Sequence, residues 1–451
     1  MLTILKMSKE SLLNVLQLED TRYEKYFQYL IIFWFISMPF GSHIGSVSFG
    51  GFTLYPNLIL TVLIFPFAVF TTASWPKSLK NYSLILLVLV VYAISWGVIN
   101  ERNDEWKFDV RSLSMQFLYA VNIFGAFTLL GKRSFTKLVG KGVLFFFLLL
   151  VVTGFFEYYT GIHFAGNATN KFFDIDEVIG VFYAPLFLFD NPNNYLVYLF
   201  LLLLLTIILF EKVRNNYWVL IASFLLVYIF SDAADSKLTV FLSVGIIIVL
   251  LGIILIKQRK EWLHKSKIYL VFGVLGIIIL LFNKPLFYGP KFIKMDWNQQ
   301  FSQNVELKDN CKETEELNST SIRLNLIKIG VNQIQKQPVI GLGPGQFRHR
   351  ILKGEEDIPI GTVINPHNYV IEMISQYGVF GWVYFLFLLV AFLSQIKKVY
   401  HTKQGFWLLA FFVLYGCLST LPSSFLGLDI NWISIPILLI FVYEDKEELN
   451  A

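Results

Sequence analysis

The length of its apolar runs constrains this chain more than any other feature. Stretches such as 195–210 and 238–256 approach the roughly 20 residues needed to cross the hydrocarbon core of a bilayer. Soluble cores do not carry apolar residues in blocks of this size. The overall balance agrees, with 55% apolar and 15% charged residues, against about 45–50% and 25% in a soluble domain. The chain therefore reads as an all-α polytopic membrane protein rather than as the roughly three soluble domains its 451 residues would otherwise imply.

Twelve candidate spans are centred near residues 34, 62, 90, 122, 148, 202, 223, 247, 275, 387, 413 and 435. An even count places both termini on one side, and the basic residues choose which. With cytoplasmic termini, the cytoplasmic segments carry 21 Lys and Arg and the short outer loops carry 5. The other 11 lie in the long segment 283–366, which the positive-inside rule does not count. Both termini are therefore expected in the cytoplasm. Three regions follow: N-terminal transmembrane helices over 1–282, about nine of them; a large outer loop with short helices over 283–366; and about three further transmembrane helices over 367–451. A connection as long as 283–366 commonly carries function. Within it, Ile322, Leu326, Ile329 and Ile334 recur at near-helical spacing, which predicts an amphipathic helix over 321–335 stopped by Gln337-Pro338.

Several classes are excluded. The net charge of +5 is too dilute over this length for nucleic-acid binding. Two cysteines, Cys311 and Cys417, build neither a disulfide framework nor a thiolate metal site. The histidines match no metal-binding spacing, so no metal or cofactor is expected. Residues 1–25 are charged and the first apolar block begins near Tyr26, so that block is expected to be a span that stays rather than a cleaved leader. Transporters place ionisable groups near the membrane midplane. Here the span centres are nearly free of charge, and the main exception, Glu372, falls near an outer end.

The densest chemistry runs from Arg323 to Gly381. It comprises Arg323, then Pro338-Val339-Ile340-Gly341-Leu342-Gly343-Pro344-Gly345-Gln346-Phe347, then His367-Asn368, then Gly378-Val379-Phe380-Gly381. The glycines allow a tight turn whose N–H groups can face an anion. An imidazole where the loop re-enters the membrane is the usual general base for a hydroxyl. Gly378 and Gly381 suit close helix packing. Each has a plainer alternative: a structural histidine, an ordinary turn, a solvated arginine.

The order of these residues resembles the O-antigen ligase and O-antigen polymerase superfamily of bacterial envelope proteins. That family's pattern is His, then Asn, Ser or Gln, nine residues, and Gly-x-x-Gly. Here His367-Asn368 is followed by nine residues and Gly378-Val379-Phe380-Gly381. Arg323 and the Pro338–Phe347 stretch follow the family's loop pattern, and Gly180-Val181-Phe182 with Asn191-Pro192-Asn193 resembles its upstream motif. One departure is Ser236-Lys237 where members commonly carry Ser-Arg. Lysine keeps the charge and gives up the planar fork that suits phosphate oxygens; a lysine snorkelling from a helix end is the alternative.

The resemblance implies a metal-independent inverting glycosyltransferase using a glycan carried on a polyprenyl diphosphate. It implies the periplasmic face of the inner membrane, with glycan or lipid A core as acceptor, membrane lipid around it, and envelope polysaccharide assembly proteins as possible partners. His367 would be the catalytic base, and Arg323 and Lys237 the diphosphate clamp. Asn368, Gly343, Gly345, Arg348 and Arg350 are secondary substrate-binding candidates, the two arginines otherwise being solvated loop charges. A polymerase of repeat units is preferred on base rates; the alternatives are an O-antigen ligase and, from another class, a flippase or transporter of lipid-linked glycan.

Overall fold

The computed structural model describes residues 21–37, 47–49, 52–100, 103–160, 185, 187, 189, 191–234, 236–257, 319–355, 358, 360, 365–399, 403–422 and 424–444. The expected span near 275, the motif at 180–182, Cys311 and the first part of the long loop lie outside them. Helices α1 (Thr21–Ser37), α2 (Pro56–Phe70), α3 (Lys77–Ile99) and α4 (Asp104–Thr160) open the chain. Then come α5 (Pro192–Leu209), α6 (Glu211–Arg214), α7 (Tyr217–Ala233) and α8 (Lys237–Lys257). Later in the chain follow α9 (Ser319–Lys336), α10 (Gln346–Leu352), α11 (Tyr369–Tyr377), α12 (Val379–Val399), α13 (Lys403–Leu418) and α14 (Asp429–Glu444). A short antiparallel hairpin, β1 (Val47–Phe49) with β2 (Phe52–Leu54), pairs Ser48 with Thr53 and is the one departure from an all-helical chain among the described residues.

Four helical segments are long and apolar enough to cross a membrane: Lys77–Ile99, Asp104–Tyr159, Pro192–Leu209 and Lys237–Ile254. Six shorter apolar helices accompany them, which makes the chain a multi-pass membrane protein. The expected spans at 122 and 148 fall on one long helix interrupted at Gly131, whose φ of 70° and ψ of 165° break the helical path. The apolar block around 387 also divides: α11 ends at Gly378 and the apolar helix α12 starts directly after it, so Glu372 sits on a separate short helix outside the span.

The chain forms two compact units, one from residues 1–148, 201–209 and 304–451, the other from 149–200 and 210–303. In the first unit α12 packs against α3, α11, α13 and α14. Its interior holds Trp34, Tyr82, Tyr119, Tyr369, Tyr377 and Tyr384, all fully buried. Their polar tips find partners, as buried tyrosines require: Gln116 Nε2 donates to Tyr384 OH at 3.0 Å, and Trp34 Nε1 to Thr61 Oγ1 at 2.7 Å. The outward faces are apolar instead. Leu84, Val91 and Val98 recur every seven residues along α3, and Leu386, Val390 and Leu393 follow one another at steps of four and three along α12, all exposed. Such stripes are tolerable only where lipid replaces water. In the second unit α7 and α8 pack together, and Asn216 caps α7 by accepting from the N–H groups of Trp218 and Val219. There the Glu157 carboxylate accepts from the Phe187 N–H at 2.8 Å.

The predicted amphipathic helix is α9, two residues longer at its start and ending one residue before Gln337. Ile322, Leu326 and Ile329 bury one face against Phe347 and Ile351 of α10. The loop helices therefore have a small core of their own.

Candidate active site

The turn after α9 is fixed by backbone contacts rather than by side chains. Leu342 N–H donates to Ser375 O at 2.9 Å, Gly343 N–H to Gln376 O at 3.0 Å, and Val379 N–H to Val339 O at 2.9 Å. The glycine-rich turn is thus laid along the end of α11 and the start of α12. Gly341 (φ +76°) and Gly378 (φ +53°) face each other: a Cβ on Gly341 would meet Gln376 O and Gly378 N at 2.6 Å, and one on Gly378 would meet Gly341 N at 2.6 Å. The two glycine motifs of the sequence are the two sides of one close backbone crossing.

An amide of the turn does face an anion, and the anion is the protein's own. Gly345 N–H donates to Asp109 Oδ2 at 2.9 Å, while Gly343 packs on the edge of the Trp96 indole. Arg348 lies in the same nest. Its Nε meets Glu105 Oε2 at 2.9 Å, its Nη2 meets Asp109 Oδ1, and its guanidinium stacks 4.5 Å over the Phe108 ring. Arg348 is therefore a buried, doubly paired cation and not a solvated loop charge. Burial works against its charge, but the carboxylates of Asp109 and Glu105 outweigh it and hold its pKa above the usual arginine value. Arg350 is half-buried, with Glu355 Oε2 at 3.8 Å from its Nε. Glu105 and Asp109 are site-supporting residues that sequence reasoning missed; two acids four apart in a charge-poor chain were the available signal.

His367 lies two residues before α11, ahead of its N-cap Asn368, in a left-handed conformation (φ +47°), sparsely populated for a residue with a Cβ. Asn368 begins the helix after it, its side-chain oxygen accepting from the Ile371 N–H at 3.1 Å. Asn368 thereby sets the orientation of the segment carrying His367. The imidazole hydrogen-bonds the Leu421 backbone carbonyl, while its Nδ1 is enclosed and has no partner among the described residues. That leaves Nδ1 as the nitrogen with hydrogen-bonding capacity to spare. Desolvation first, and then the positive charge of Arg323, push the imidazole pKa down to about 4, against the opposing effect of the Leu421 hydrogen bond.

Arg323, on α9, is thus within electrostatic reach of His367. It is half-buried, and burial lowers its own pKa. It makes no salt bridge among the described residues. A desolvated guanidinium beside an imidazole, without a carboxylate to neutralise it, is suited to receive an anion.

Lys237 opens α8 in the second unit and is exposed. Ser236 before it is buried, its carbonyl accepting from the Val240 N–H at 3.1 Å, and its Oγ has no partner among the described residues. Glu372, expected near the outer end of a span, is fully buried, with Oε1 accepting from Ser424 Oγ at 2.5 Å and Oε2 unpartnered among the described residues. Burial first, and then the charge of Asp109, raise its pKa to about 7 despite the Ser424 hydrogen bond and Arg348. Ser424 and Leu421 belong to one loop between α13 and α14, so that loop holds both His367 and Glu372.

No curated protein matches this chain. Residues 233–386 match the family model described as O-antigen ligase, a stretch that takes in Lys237, Arg323, the glycine-rich turn, His367 and the Gly378–Gly381 motif. Over that stretch, about a third of its length, the chain is similar to the O-antigen ligase family.

Proposed function

We propose that the chain is a metal-independent inverting glycosyltransferase that polymerises polyprenyl-diphosphate-linked oligosaccharide repeat units on the periplasmic face of the bacterial inner membrane. In this reading the twelve-span topology holds, with both termini cytoplasmic and 283–366 forming a periplasmic loop. The observation that carries the site is the pairing of His367 with an Arg323 that has no carboxylate partner among the described residues.

An acceptor hydroxyl oxygen attacks the anomeric carbon and passes its proton to His367 as the new glycosidic bond forms. The bond from that carbon to the diphosphate oxygen breaks on the opposite face, and its electron pair leaves with the lipid diphosphate. Arg323 stabilises the charge that develops there; Lys237 is assigned as a second cation on the resemblance alone.

The electrostatics give the site a way to respond to substrate. A base works best with a pKa near the operating pH, and His367 without ligand lies far below it. Part of that depression comes from the Arg323 charge. A bound diphosphate neutralises that charge and raises the imidazole pKa from its ligand-free position, so the base gains strength when the donor is in place.

A second reading keeps the same chemistry, with the lipid A core as acceptor and the chain as an O-antigen ligase, the name the matched family model carries. The test uses purified protein, lipid-linked repeat units and either acceptor. Wild type is expected to lengthen or transfer chains, and His367→Ala and Arg323→Ala to lose at least a hundredfold in rate. Normal turnover by both variants would overturn the assignment, and movement of glycan across liposomes without a new glycosidic bond would establish a transporter.

A further inference from the structure

A cleft in the first unit does not include His367 in its walls. It measures about 620 Å³ and is walled by the ends of α3 and α4, the glycine-rich turn and α10. That volume falls within the roughly 300–1,000 Å³ typical of ligand sites. Its floor at Gly341–Leu342 docks on Ser375 and Gln376, at the C-terminal end of α11. His367 precedes the N-terminal end of that helix, whose nine residues span roughly 13 Å.

The lining has a definite chemical character. Trp96 supplies an indole whose N–H has no hydrogen-bond partner among the described residues. Gln337 and Gln346 supply side-chain amides with no partners there either, each able to donate and to accept. Lys353 adds an exposed cation with no salt bridge among the described residues. Val339 and Ile340, at 65% and 62% exposure, form an apolar rim, and Val98 and Ile99 at the end of α3 are exposed as well. Tyr92 OH anchors this rim to α3 by donating to Ile340 O at 2.7 Å.

Amides that donate and accept match hydroxyl groups that do the same, and an aromatic face covers the apolar C–H side of a sugar ring. A wholly lipidic ligand would leave the amides and the lysine unpaired. A free nucleotide or other soluble solute gives no account of an apolar rim. A sugar chain tethered to lipid answers both, because its sugars meet the polar walls while the rim faces membrane.

We propose that this cleft is a saccharide-binding subsite that holds sugar residues of the lipid-linked glycan beyond the bond being made. The proposal rests on the glycosyltransferase reading for its choice of glycan, and the cleft is separate from the reacting atoms. A hold of this kind lets binding energy from remote sugars orient the reacting end.

The probe is the water-soluble oligosaccharide released by mild acid from the cell's own lipid-linked repeat units, titrated calorimetrically into the full-length protein in nanodiscs. The variants are Gln337→Trp, which fills the cleft from an exposed position, Lys353→Ala, and His367→Ala. Wild type and His367→Ala are expected to bind alike, Gln337→Trp at least tenfold more weakly, and Lys353→Ala severalfold more weakly. Equal binding by wild type and Gln337→Trp, with both proteins folded by thermal shift, would overturn the subsite. So would a loss seen only for anionic phosphatidylglycerol vesicles, which would make the cleft a lipid site. Oligosaccharide binding that Gln337→Trp abolishes in a protein that forms no glycosidic bond would keep the subsite and sink the transferase; chain transfer with no dependence on Gln337 would do the reverse.

Discussion

Replacing Glu372 by glutamine tests the buried architecture under the site, and the sign of its effect follows from the charge. A carboxyl raised from 4.5 to about 7 binds its proton more tightly in the folded chain than in the unfolded one. Below about pH 4.5 both states are protonated and nothing is lost. As pH rises from there toward 7 the unfolded state ionises freely while the folded state resists, so folding stability falls with pH. At about 1.4 kcal/mol per pKa unit the full loss is about 3 kcal/mol. The side-chain amide introduced by Glu372→Gln keeps an oxygen to accept from Ser424 and cannot ionise. The wild type is expected to match Glu372→Gln near pH 4.5 and to be less stable by about 3 kcal/mol at pH 8. His367 titrates in the opposite sense, since its pKa is lowered, but it does so in both proteins and cancels in the difference. Reversible unfolding in mixed micelles, followed across this range for the two proteins side by side, gives the measurement. A stability difference that does not change with pH would refute the reasoning, because it would mean that Glu372 is either solvated or ionised within the fold.

Four further outcomes are expected. Arg323→Gln removes a positive charge acting on His367, so the imidazole should titrate at higher pH in the ligand-free protein, read by NMR of labelled histidine; an unchanged titration would separate the two groups. Asp109→Ala leaves Arg348 short of a buried partner and should cost about 3–5 kcal/mol, with a clearly sub-additive loss when combined with Arg348→Met; additive losses would deny the pairing. Lys237→Arg should retain transfer and Lys237→Glu should not, and a chelator should leave transfer unchanged; strong inhibition by the chelator would contradict a clamp made of side chains.

Much of this architecture was legible because one physical rule dominates a chain in lipid. Apolar runs had to become helices, and Ile322, Leu326 and Ile329 announced the buried face of α9 by spacing alone. Boundaries were harder. Hydropathy marked two blocks around 122 and 148, yet the backbone stays helical through the polar stretch between them apart from Gly131. The site was readable as an order of residues and not as contacts. Three glycines promised amides for an anion, but nothing local says that Asp109, 236 residues from Gly345, already takes one of them. The sequence placed Glu372 near an outer end but gave no sign of its burial and its Ser424 hydrogen bond, which are products of a loop some fifty residues away. Long-range pairing leaves no periodic trace in sequence, and this site is made of it.

The facing glycines at 341 and 378 have a consequence for how such a chain can vary. With no space for a side chain on either backbone, the end of the long insert returns to the membrane helices in a single register. Residues added or lost upstream of α9 need not disturb that alignment, since the crossing is made downstream of them. On the glycosyltransferase reading proposed above, the stretch before α9 can therefore be reshaped for different sugars while the crossing that places α9 beside α11 is kept, as in a lathe whose tool changes and whose chuck does not.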